Sequence, residues 1–123
     1  MKERRDTKGR RARLTALCKS LPEVEASGDP HVTFRVRKKV FAYYLYDHHG
    51  DGRIALWCKG APGEQSRLVE ENPRRFFVPP YVGPRDWVGV RLDLASVNWS
   101  QVMYLLRTAY RLTAPRALLR RLE

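Results

Sequence analysis

Three histidines, two cysteines and a scatter of carboxylates are the residues of this 123-residue chain able to do chemistry beyond carrying charge. His48 and His49 stand between Asp47 and Asp51. This is a metal-like grouping, but adjacent side chains diverge, and no cysteine or distant ligand is specified to complete a coordination shell. It reads as a solvated turn, with no metal. Glu70 and Glu71 close a helical segment, where a polar face accounts for them without acid-base work. Cys18 and Cys58 have no second cysteine at metal or redox spacing, and each falls on an apolar face, as buried thiols in a reducing compartment do. The glycine spacings match neither a Walker nor a dinucleotide loop, and there is no G-x-S-x-G elbow for a nucleophilic serine. No catalytic residue, metal or cofactor is therefore expected.

What remains is charge and aromatic surface. The chain has 24 Lys and Arg against 13 Asp and Glu, a net charge of +11 that favours polyanionic partners. From Met1 to Lys19 eight bases face two acids, so more than half of the excess is N-terminal. Residues 1–13 read as a basic, flexible arm, and residues 14–123 as one domain. The strand patterns place Arg35, Arg37, Tyr44, Tyr46, Trp57, Lys59, Trp87 and Arg91 on one side of a sheet, with Lys38 and Lys39 at an adjoining hairpin tip. Cations meet phosphates and flat rings stack on bases, so this mixture points to nucleic acid. The same mixture also forms protein interfaces, which makes a protein partner the alternative.

The elements that must position these residues are legible from periodicity. Leu14, Leu17, Cys18 and Leu21 repeat at i, i+3, i+4 and i+7, predicting a helix over residues 10–20 that Pro22 stops. Residues 23–30 read as an acidic, turn-rich connector. Residues 31–37 and 40–46 alternate as two strands about a Lys38-Lys39 turn, pairing Arg37 with Val40 and Phe34 with Tyr43. In that register Val32, Phe34, Val36, Phe41, Tyr43 and Leu45 share the core face. Residues 53–59 supply a third strand, and Pro62 opens a short helix that ends before Asn72-Pro73. Residues 72–92, NPRRFFVPPYVGPRDWVGVRL, hold two further strands about a rigid bend, with Arg74, Arg75 and Arg85 bordering whatever surface the bend creates. Asn98 and Gln101 have capping-box spacing ahead of the stripe Val102, Leu105, Leu106 and Ala109. A helical tail follows Pro115. The expected fold is α+β, a two-layer antiparallel sheet with helices on one face in the order α-β-β-β-α-β-β-α. With neither a signal-like apolar region in residues 1–13 nor a membrane-length apolar run, a cytoplasmic protein without a membrane partner is expected.

The runs FRVRKKVFA (residues 34–42), LWCK (56–59), residues 72–92 and AYRLTAP (109–115) resemble the MmcQ/YjbR family over about residues 14–119. The resemblance implies a small α+β domain of CyaY-like or secretion-chaperone-like kind. It also implies DNA binding, with two β-hairpin wings holding the duplex, so the expected partner is DNA rather than RNA. Lys38 stands where many relatives carry a hairpin glycine, and the basic arm is an addition. Frataxin-like relatives of the fold hold iron on an acidic first helix, whereas the helix here carries Arg11, Arg13 and Lys19, which disfavours that role. The expected contact set is Arg35, Arg37, Lys38, Lys39, Tyr44, Tyr46, Trp57, Lys59 and Arg91.

Overall fold

A computed structural model of the chain describes residues 9–122. The helix α1 (Arg10–Lys19) leads into the strands β1 (Val24–Ser27), β2 (Val32–Val36), β3 (Lys39–Tyr46) and β4 (Ile54–Cys58). Helix α2 (Glu64–Glu71), strands β5 (Phe76–Phe77) and β6 (Val88–Arg91), and helices α3 (Trp99–Arg111) and α4 (Arg116–Leu119) complete it. The six strands form one antiparallel sheet in the order β1-β2-β3-β4-β6-β5. The fold class is the expected α+β, with one strand more than the predicted order.

The additional strand is β1, within the segment read as a connector. Only Val24 of its four residues is buried, and Pro22, Gly28 and Pro30 flank it, so its alternation is too short to register. It is an edge strand held by β2, Val24 opposite Val36 and Ser27 opposite Thr33. Part of the predicted arm, residues 1–8, lies outside the described residues. Residues 10–13, shared by that arm and the predicted helix over residues 10–20, form the first turn of α1, where Arg10 donates to the backbone oxygens of Leu92, Leu94 and Ala95, and Arg13 stacks 4.9 Å over the ring of Trp99.

All four helices bury their apolar stripes against one face of the sheet. Leu14 and Cys18 of α1, Leu68 of α2, Val102, Leu105, Leu106, Ala109 and Tyr110 of α3 and Leu118 of α4 meet Val32, Phe34, Val36, Leu56, Val88 and Val90. Each such large apolar side chain contributes about 1.5–3 kcal/mol by leaving water. Asn98 Oδ1 accepts from the Gln101 N–H at 3.1 Å, starting α3 as its spacing predicts. The Tyr110 hydroxyl donates to the Pro22 oxygen at 2.7 Å, satisfying the polar tip of a ring otherwise sunk in the core. Burial also drives the Cys18 and Cys58 thiols far above their ordinary pKa, which leaves them inert.

The β2–β3 hairpin departs from the expected register. Its turn is Arg37-Lys38, both at positive φ, and Val36 pairs with Lys39. A bulge then follows, because Arg35 faces Val40 while Phe34 faces Ala42, leaving Phe41 extra. Phe41 and Ala42 consequently both enter the main core, and every later residue of β3 changes sides. Tyr44, expected on the open face, is 1% exposed beneath the helices, and Tyr46 packs at the edge of the same core. Tyr43 and Leu45, expected in that core, turn to the opposite face.

That opposite face is not bare. All five residues of β4 are buried, and Leu45, Ala55, Trp57 and Trp87 form a second, smaller core. Residues 79–87 and Phe77 cover part of it. Gly89 makes the covering possible, since a Cβ there would lie 2.5 Å from the Phe77 ring. On Phe77 rests the guanidinium of Arg53, 4.1 Å from the ring centroid.

Candidate functional site

Two concavities share the face away from the helices, and the proline-rich segment supplies a wall of each. Residues 79–87 are folded by their own backbone: the Gly83 N–H donates to Pro79 O, Arg85 N–H to Val82 O and Asp86 N–H to Gly83 O. Gln65 of α2 clamps the segment from behind, its Nε2 donating to the oxygens of Gly83 at 3.0 Å and Trp87 at 2.6 Å. Sequence reasoning did not single out Gln65, because a helix glutamine carries no signal of what it reaches across to. The clamp fixes Arg85 on one flank and Tyr81 on the other.

On the Arg85 flank lies a cleft of about 570 Å³, walled by Tyr43 and Trp87 and rimmed by Lys39, Lys59, Arg85 and Leu112. No carboxylate lines it, and none of the three cations makes an ion pair among the described residues. Burial, and then the like charges of Arg85 and Lys39, hold the Lys59 ammonium below its ordinary pKa. An anion entering the cleft relieves that repulsion.

On the Tyr81 flank lies a pocket of about 330 Å³ lined chiefly by His31, Tyr43, His48, Trp57, Tyr81 and Val82. Its rings meet nearly at right angles: Tyr43 and Trp57 at 83°, His48 and Trp57 at 76°, His48 and Tyr81 at 82°. Tyr43 lines both concavities and joins them. The Trp57 indole N–H is buried without an acceptor among the described residues. His31 Nδ1 accepts from the Tyr46 N–H at 3.1 Å, which leaves Nε2 to carry the proton of the neutral ring. Burial, followed by the neighbouring His49 and His31, lowers the pKa of His48, so its neutral form is favoured. Tyr81 is 74% exposed and held at φ +68°, beside His49 at φ +52°. The carboxylates of Asp47 and Asp51 accept from the Gly52 and Arg53 N–H groups, which accounts for both as turn-formers. No group of three His, Cys, Asp or Glu among the described residues is placed to hold a metal.

The nine residues expected to make contact are thus divided. Lys39, Lys59 and Trp57 come together on this face, and Lys38 stands exposed at the hairpin tip. Tyr44 and Tyr46 line a different cleft, with Arg11 and Asp29 on the helix side. Arg37 is engaged by Glu23, Nε to Oε1 at 2.6 Å and Nη2 to Oε2 at 3.2 Å, and Arg91 is paired in the same bidentate way with Asp93. Arg35 donates to Ser27 Oγ at 3.1 Å. Arg85, Tyr43 and Tyr81 are the additions. The first lay in the stretch already thought to border a surface, while Tyr43 was hidden by the bulge.

The YjbR family model matches residues 19–112, a span running from the end of α1 to the end of α3. The chain belongs to the YjbR family. The crystal structure of the Deinococcus radiodurans protein DR2400, which carries a DUF419 domain of the same family, superposes with a TM-score of 0.66 at 24% identity, covering 80% of this chain and 74% of the other. At that identity the likeness speaks for the fold. No curated protein matches the sequence. Both concavities of this YjbR chain lie within the matched span. No helix among the described residues is long and apolar enough to cross a membrane.

Proposed function

We propose that the chain is a non-enzymatic DNA-binding protein that grips the phosphate backbone on the sheet face away from the helices. The supporting observation is the convergence of Lys39, Lys59 and Arg85 on one aromatic-walled cleft that no carboxylate among the described residues lines. Three unneutralised cations at one place cost the folded chain mutual repulsion, which a bound polyanion converts into attraction. Lys38, at the adjoining tip, adds a fourth contact. Arg37 and Arg91 contribute less than their charge implies, because each must first give up a carboxylate partner.

Four phosphate contacts give a slope of log affinity against log salt of about −3.5 on duplex DNA and about −3 on single strands. A binding titration across a salt series, with duplex DNA, single-stranded DNA and RNA, measures it. Lys59→Gln is expected to reduce the steepness by about 1. Affinity for DNA that does not change with salt, or no binding at low salt, would sink the proposal. A complex that survives both nuclease and high salt would favour a protein partner instead, held by the exposed Val78, Tyr81 and Leu112.

A further inference from the structure

The phosphate cleft accounts for the cations but leaves the adjoining ring-lined pocket without a task. We infer that this pocket takes one unpaired nucleobase of a single strand whose phosphate lies on Lys39, Lys59 and Arg85, an assignment that rests on the DNA-binding reading. The lining is mainly aromatic, Tyr43, His48, Trp57 and Tyr81 beside the aliphatic Leu45 and Val82, so the open pocket offers ring surfaces on which a planar heterocycle can stack. Its volume of about 330 Å³ falls in the range of ligand sites and holds a single heterocycle.

Trp57 is 4% exposed, so what it offers the pocket is a fixed ring surface. His48, favoured in its neutral form, presents an uncharged ring at the same pocket. Tyr81, at a backbone angle that a tyrosine rarely adopts, is 74% exposed, so its ring can turn onto an inserted base at the cost of its contacts with His48 and His49. Because Tyr43 belongs to both concavities, a phosphate and a base occupying them lie next to each other, as they do along one strand. Bases inside a duplex are paired and stacked, so they do not reach such a pocket without being flipped out.

The test compares a 5′-labelled fifteen-nucleotide thymidine strand with an abasic deoxyribose-phosphate chain of equal length, by fluorescence anisotropy at fixed salt. The full chain is expected to prefer the thymidine strand at least about tenfold, the effect of one well-stacked base. Tyr81→Gly, which removes an exposed ring and suits the local backbone, should bring that ratio close to one while leaving the abasic affinity unchanged. Trp57→Phe should lower it in part, by shrinking the ring surface that lines the pocket. Lys59→Gln should weaken both ligands alike and preserve the ratio. Equal, salt-dependent binding of both chains by the unaltered protein overturns the base pocket while leaving the phosphate cleft standing; binding of neither overturns both. Free thymidine monophosphate bound as tightly as the strand would overturn the strand as the source of the base.

Discussion

Glu23 shows how one side chain sets the availability of several others. It stands at φ +61° and its two oxygens accept from Nε and Nη2 of Arg37, with Arg121 Nη1 at 3.5 Å from the same carboxylate. The hydrogen bond from Arg37, together with the charges of both arginines, lowers its pKa below the usual carboxylate value. A carboxylate with a lowered folded pKa stabilises the fold fully above its unfolded pKa, and that contribution disappears as pH falls through the folded value. Near neutrality the pair is intact and Arg37 is occupied. Glu23→Gln is therefore expected to raise DNA affinity severalfold at low salt and to steepen the salt slope by about 1, as Arg37 becomes a fifth phosphate ligand. A titration of the variant against the same duplex decides it, and an unchanged slope would mean that Arg37 does not face the bound strand.

At the scale of elements, the β2–β3 hairpin carries both a cost and a correction. Its turn needs positive φ twice and fills the positions with Arg37 and Lys38, each paying about 1–2 kcal/mol that glycine would avoid. Lys38→Gly should accordingly raise the unfolding free energy by about 1 kcal/mol while making the salt slope shallower by about 1, read from denaturant curves and the titration together. Gain of stability without the change in slope would place Lys38 outside the interface. The helices and the strand β4 were legible in the sequence, because periodic runs bury apolar faces and caps or prolines mark their ends. The extra residue at Phe41 was not. A bulge leaves the alternation of each half intact and changes only their relation, so Tyr43 and Tyr44 exchanged faces without any trace in composition. Likewise, nothing in the residue types of Arg37 and Arg91 discloses that Glu23 and Asp93 neutralise them.

For the molecule as a whole, the proline-rich segment has two consequences at once. It roofs a second core over the sheet, and it carries Arg85 to the cationic cleft and Tyr81 to the ring-lined pocket. Segments 72–92 and 56–59, two of the runs that resemble the family, are thus also among those that build the surface. Their rigidity was legible from proline and glycine, but their destination depended on Gln65 and on the space above Gly89. Strand β4, covered on one side by the helices and on the other by this roof, has no wet face. Its amides between β3 and β6 should therefore be the last to exchange with deuterium, opening only with global unfolding, while those of the edge strands β1 and β5 exchange sooner. Exchange of Leu56 and Trp57 as fast as that of Glu25 would contradict this. Trp57 and Lys59 are mounted on or beside the least yielding strand of the protein, so a ligand arriving there meets a surface already in place and little of its binding energy is spent on ordering the protein.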